Sequence, residues 1–117
     1  MRYTTAQYQR LDKIFREAVY LRGYCERCGR GDGLTCAHIE RRRFDYVRWS
    51  FDNVLALCTD CHAWLDSYID DGKAWLAELL GQEHLDDLYR RREISPIETP
   101  AEVTARVRAS IDGRAVG

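Results

Sequence analysis

The stretch Asn53-Val54-Leu55-Ala56-Leu57-Cys58-Thr59-Asp60-Cys61-His62 decides how this chain reads. An unbroken apolar run between an Asn and a Cys-x2-Cys turn predicts a short extended segment that feeds directly into a knuckle. A second Cys-x2-Cys lies upstream in Tyr24-Cys25-Glu26-Arg27-Cys28-Gly29. Each knuckle folds a pair of sulfurs toward one point, so Cys25, Cys28, Cys58 and Cys61 together suit one tetrahedral Zn²⁺. A closed four-sulfur site has no open position for chemistry, which makes it structural and makes metal binding part of folding. The fifth cysteine, Cys36, reads as a small buried hydrophobe close by.

Three other readings of these cysteines are weaker. Cys58-x2-Cys61-His62 also matches a c-type haem attachment, but that leaves Cys25 and Cys28 idle, and Met1 is the one methionine. A thioredoxin-like redox pair lacks its βαβ surroundings. An Fe–S cluster fits two knuckles around a short strand pair less well than zinc does.

Outward from the knuckles, residues 34–39 predict a second strand, and residues 40–50 an irregular loop. In that loop Arg41, Arg42, Arg43 and Arg48 alternate with Phe44, Tyr46 and Trp49. Residues 5–22 predict a helix with the stripe Leu11, Ile14, Phe15, Ala18 and Val19, ended by Gly23. After the second knuckle a helix is expected to about Asp70, capped by Thr59 or Asp60, with Gly72 as a break. Two short helices follow, residues 73–80 and 82–92, divided by Gly81, the second with Leu85, Leu88 and Tyr89 as its apolar face. Residues 95–98 read as a linker. Thr99, Pro100 and Glu102 then form a capping box that starts a last helix, expected to stop at Gly113. With only Val103, Val107 and Ile111 to bury, that helix is expected to dock weakly or on a partner. The fold class is α+β, divided into a zinc-stabilised domain over residues 1–93 and a linker plus helix over 94–117.

At 117 residues the chain fits one domain, and 45% hydrophobic with 32% charged residues excludes a wholly disordered polymer. No apolar run reaches the ~18 residues of a membrane span, and the first residues lack the apolar core of a secretory signal, so a cytoplasmic location is expected, in a bacterium or a phage-infected cell. A net charge of −1 argues against a nucleic-acid partner only as an average. Residues 1–48 carry 11 Lys and Arg against 6 Asp and Glu, whereas residues 49–117 carry 7 against 13. A basic face survives that cancellation.

The order of Cys-x2-Cys, a strand with His38, an Arg-rich loop, Asn53, Cys-x2-Cys-His62 and a helix resembles the HNH endonuclease superfamily, the ββα-metal nucleases with zinc knuckles. The resemblance covers residues 25–66, roughly a third of the chain. It implies a ββα-metal (His-Me finger) core that hydrolyses DNA phosphodiesters. His38 would be the general base, a role suited to a side chain with a pKa near ~6.5. Asn53 would hold the loop geometry and orient His38. His62 would bind a catalytic Mg²⁺ or Mn²⁺ at the scissile phosphate, leaving 5′-phosphate and 3′-hydroxyl ends.

Many members carry an Asp metal ligand directly before the first His, where this chain has Ala37. Asp66, four residues after His62 on the same helix face, is the candidate replacement. His62 as a zinc ligand in place of a cysteine is the other use of that side chain. Arg41, Arg42, Arg43 and Arg48 would contact phosphates. Tyr46 and Trp49 would stack on bases or anchor the loop, anchoring being the expected role of Trp49. His84 reads as a solvated helix residue. Trp64-Leu65-Asp66 and the helices beyond are similar to phage recombination nucleases of the NinG type, which implies branched or single-strand-containing DNA. A homodimer or a phage or recombination complex is the corresponding assembly. The alternative is a catalytically inactive zinc module that binds DNA or a partner protein.

Overall fold

The computed structural model describes residues 3–116, with side chains through residue 113. Its elements are α1 (Thr5–Tyr20), β1 (Leu34–His38), α2 (Asp45–Arg48), a single 3-10 turn (Phe51–Asn53), β2 (Val54–Cys58), α3 (Thr59–Ser67), α4 (Ile69–Leu80), α5 (Gln82–Arg91) and α6 (Pro100–Val116). The class is α+β, with one small sheet. No described helix is long and apolar enough to cross a membrane.

α1 starts at a reciprocal capping box. The Thr4 hydroxyl accepts from the Gln7 amide, and the Gln7 side chain accepts from the Thr4 amide. Its stripe buries Tyr8, Leu11, Ile14, Phe15, Ala18 and Val19, and the chain turns away at Gly23 with φ +84°. β1 and β2 pair antiparallel, Leu34 opposite Cys58 and His38 opposite Val54. Residues alternate across a strand, so this sheet divides two cores. Val54 and Ala56 pack on α1 and α6, while Leu55, Leu57 and Ala37 pack with Cys25, Cys58, Cys61 and Leu76. Both faces of β2 are therefore covered, which is why its sequence is an unbroken apolar run rather than an alternation.

Three expectations are corrected. α3 is capped by Cys58, not by Thr59 or Asp60: the Cys58 sulfur accepts the Cys61 amide at 3.5 Å, so a candidate metal ligand also starts the helix. Gly72 does not break a helix but lies inside α4. A Cβ there would stand 2.8 Å from Leu65 Cδ1 and 3.3 Å from the Leu65 carbonyl oxygen, so glycine is what lets α4 cross α3 closely. Gly72→Val is expected to lower stability by about 2 kcal/mol through overpacking at this crossing, read as a drop in the urea midpoint.

The third correction concerns α6. The Thr99–Glu102 box forms, but the helix runs through Gly113 to Val116. It docks within the chain: Val103 and Val107 are fully buried in the same core as α1. Tyr3 donates to the Glu98 carbonyl at 2.6 Å, and Arg106 bridges the Glu98 carboxylate and the Trp49 carbonyl. Two valines suffice because the partner stripe on α1 is waiting for them, a fact no local pattern contains.

Candidate functional site

The four knuckle sulfurs lie within 4.8 Å of one another, and Cys28 and Cys58 are 3.7 Å apart. A tetrahedron with ~2.3 Å Zn–S bonds has edges of about 3.8 Å, so the spacing fits zinc. The first knuckle is closed by the Gly29 amide on the Cys25 carbonyl and by the Cys25 amide on the Arg30 carbonyl. It is tied to β2 through Glu26, whose amide donates to the Ala56 carbonyl and whose carboxylate accepts the Ala56 amide. Arg22 pairs with that same carboxylate and reaches the Val54 and Phe51 carbonyls, joining the end of α1 to the sheet.

Burial resists a charged Cys25, yet surrounding amides of Cys28, Cys58 and Arg27 prevail and hold its thiol down at about 6. Burial and the neighbouring sulfurs push Cys61 up to about 12. Four sulfurs this close cannot all ionise unless a cation sits among them, and a divalent metal supplies that charge. Arg27 adds a donor to Cys61 at 3.5 Å while stacking over Trp64 at 3.6 Å. His62 is not among the clustered ligands.

Beside β1, between α1 and the start of α3, lies a cleft of about 510 Å³. Asp12, Arg16, His38, Arg41, Arg42 and His62 are among the residues lining it. His38, the last residue of β1, bonds through Nε2 to the Arg48 carbonyl at 2.9 Å. A carbonyl only accepts, so Nε2 carries the proton and Nδ1 keeps a free lone pair. Burial lowers the His38 pKa from its usual 6.5, against the Arg48 carbonyl and Asp12, which raise it. The ring is therefore neutral at physiological pH, the state a general base needs.

His62 has the opposite arrangement. The Thr35 hydroxyl spends its proton on the Leu57 carbonyl at 2.8 Å, so at 2.7 Å it accepts from His62 Nδ1. His62 Nε2 is then a lone pair, 3.7 Å from the Asp66 carboxylate. Two acceptors face each other there, which a divalent cation, or a proton on His62, relieves.

Asn53 is completely buried. Its Oδ1 accepts the Glu40 amide at 2.7 Å, and its Nδ2 donates to the Glu40 and Val47 carbonyls, both at 3.0 Å. One amide thus pins both ends of the β1–β2 loop and sets the backbone next to the Arg48 carbonyl that holds His38. Asn53→Ala is expected to cost about 3 kcal/mol, because one buried and two partly buried backbone groups lose their partner. Denaturant unfolding checks this.

The four loop arginines do not act alike. Arg48 is folded inward, its guanidinium clamped on Asp12 at 3.0 and 2.6 Å, donating to the Arg42 carbonyl and lying over Tyr8 and Trp49. Arg41, Arg42 and Arg43 are exposed; Arg42 stands 3.7 Å from Asp12, and Arg43 lies over Phe44. Trp49 is an anchor, buried and donating to Asp12 at 2.9 Å, while Tyr46 is half-buried. His84 bonds the Asp52 carbonyl at 2.6 Å and so tethers α5 to the 3-10 turn. Ala37 is buried among Leu55, Leu57 and the cysteines, so no ligand side chain arises at that position. Cys36 is half-buried in the cleft wall, where burial pushes its thiol up to about 11.

Sequence reasoning missed Asp12, Arg16 and Thr35. All three act across elements, Thr35 and Asp12 on residues 22 to 37 positions away and Arg16 across the cleft, and no local spacing signals that. Comparison with protein-family models, curated proteins and solved structures returns no match.

Proposed function

We propose that the protein is a metal-dependent DNA endonuclease whose β1, β2 and α3 form a ββα-metal core, with the four cysteines holding a structural Zn²⁺. The observation that carries this reading is His38. Its Nε2 proton is committed to a backbone carbonyl, and its free Nδ1 belongs to a neutral ring in a cleft that also holds His62 and three cationic side chains, Arg16, Arg41 and Arg42.

In this reading His38 Nδ1 takes a proton from a water, and the resulting hydroxide attacks phosphorus in line with the 3′-oxygen. The bond to the 3′-oxygen breaks and that oxygen takes a proton from solvent water, leaving 5′-phosphate and 3′-hydroxyl ends. A bound Mg²⁺ or Mn²⁺ would supply Lewis-acid stabilisation of the phosphorane and the departing oxygen. His62 Nε2 and Asp66 are the residues that would hold it, with Thr35 fixing the His62 tautomer. Arg41 and Arg42 on the loop and Arg16 on α1 bind flanking phosphates from opposite sides. Phosphate contacts of this kind carry no sequence information, so recognition of shape is proposed, with branched or recombination DNA as the substrate class.

One observation favours a second reading. The buried Ala37 methyl stands where the resemblance places an acidic ligand, as suits a zinc module that binds DNA or a partner protein without cutting. Incubation with supercoiled plasmid and with a synthetic four-way junction, in Mg²⁺, Mn²⁺ or EDTA, separates the two. Metal-dependent cutting with preference for the junction is expected. Binding without cutting in every metal would establish the inactive module instead.

A further inference from the structure

The Arg48 carbonyl fixes the His38 tautomer, yet Arg48 sits in a loop and its carbonyl must itself be held. Asn53 steadies the preceding residue by donating to the Val47 carbonyl. The residue itself is gripped from outside the strand–loop–strand unit, by α1. Asp12 receives Arg48 Nε and Nη2 on its two oxygens, at 3.0 and 2.6 Å, and the Trp49 indole N–H at 2.9 Å. One carboxylate therefore binds the side chains of the two residues that flank the peptide group whose oxygen accepts from His38. Trp49 is held in turn from beneath, packed against Tyr3 and Tyr8, with its carbonyl taken by Arg106 of α6. Asp12 is itself mostly buried; burial opposes its charge, but its bonds to Arg48 and Trp49 and the nearby Arg42 prevail and keep it ionised.

We propose that Asp12 is the positioning residue for His38: its bidentate grip on Arg48, reinforced by Trp49, fixes the carbonyl that keeps the imidazole proton on Nε2 and leaves Nδ1 unprotonated on a ring that lines the cleft. The inference rests on the nuclease reading for its purpose, but not for its physics, because the tautomer exists whether or not the protein cuts DNA. Around the imidazole stand Asp12, Arg16 and Tyr20 of α1, Cys36 of β1, Arg41, Arg42 and Arg48 of the loop, and His62 of α3. Among the described carboxylates Asp12 is the one lining this cleft, so its loss leaves the ring facing cations and also lowers the His38 pKa further.

The test is ¹⁵N NMR of His38 in the zinc-loaded, full-length protein, with plasmid cleavage alongside. The wild type should show one neutral tautomer protonated at Nε2. Asp12→Asn, which keeps the shape but loses the charge and one acceptor, should raise the Nδ1-protonated fraction and shift the titration to lower pH. Asp12→Glu should restore much of the wild-type spectrum. Should Asp12→Asn fail to fold, Arg48→Lys breaks the fork from the other side and must give the same change of tautomer, with Asp12 and its charge still in place. In cleavage, kcat should fall by on the order of 10- to 100-fold with KM little altered, as misplacement of a base requires. An unchanged tautomer and titration in a folded Asp12→Asn, or an unchanged tautomer in Arg48→Lys, overturns the proposal. The predicted NMR change in a protein whose wild type cuts nothing would sustain Asp12's role while removing the nuclease.

Discussion

Removing the metal from the four-cysteine cluster should unfold the protein. Purified under reducing conditions, it should carry one zinc per chain, and a strong chelator should abolish its cooperative thermal transition. Apparent binding energies of zinc in comparable small domains are of order 10–16 kcal/mol near neutral pH, as large as the whole ~5–15 kcal/mol margin of a typical folded protein. The local structure says why the loss cannot be contained. Cys25, Cys58 and Cys61 are core residues of the second hydrophobic cluster, Cys58 caps α3, and the sheet that carries Cys58 also forms the floor under α1. Cys58→Ala should therefore fail to fold, whereas Cys36→Ala, outside the cluster, should fold with zinc bound. Acid should act like chelator. Metal-bound sulfurs are thiolates, so stability is held at neutral pH and lost as falling pH protonates them and releases the ion. Unchanged circular dichroism and melting after complete zinc removal would refute the structural role.

His38→Ala should abolish cleavage while leaving the fold in place. Loss of a general base costs typically 10²- to 10⁴-fold in rate, and DNA affinity should change little, because the proposed phosphate contacts lie on arginines. The pH profile is a second readout of the same residue. Burial lowers the His38 pKa below 6.5, so the base stays neutral, and activity stays full, at pH values where an ordinary histidine is already protonated. The acid limb of kcat/KM should accordingly fall below pH 6.5, with activity lost as pH drops through it. Equal cutting by His38→Ala would remove it as the base, and an acid limb at or above 6.5 would contradict its burial.

Much of the site's grammar was legible because it is local. A Cys-x2-Cys knuckle is a property of four consecutive residues, and the apolar run at 54–57 announces a strand with two covered faces. Thr4 and Thr99 announce their helices through partners three residues away. Gly72 and Arg48 were read by their residue type and misread. A glycine in a helical pattern signals a break unless another backbone crosses it, and here Leu65 does. An arginine in a basic loop signals a phosphate contact unless a carboxylate claims it, and here Asp12 does, from 36 residues away.

The sequence by itself therefore determined the four-cysteine cluster and the order of elements around it, and singled out His38, Asn53 and His62 for attention, because spacing along the chain dictates which side chains can meet within a knuckle, strand or turn. Only the tertiary structure decided which nitrogen of each histidine is free, which arginines face solvent, and that α1 and α6 belong to the same core. Those outcomes depend on hydrogen bonds and packing between segments far apart in the chain. A carbonyl opposite His38 and a hydroxyl opposite His62 give two like residues opposite free nitrogens, suited to the base and the metal ligand proposed above, and nothing in their own neighbourhoods distinguishes them.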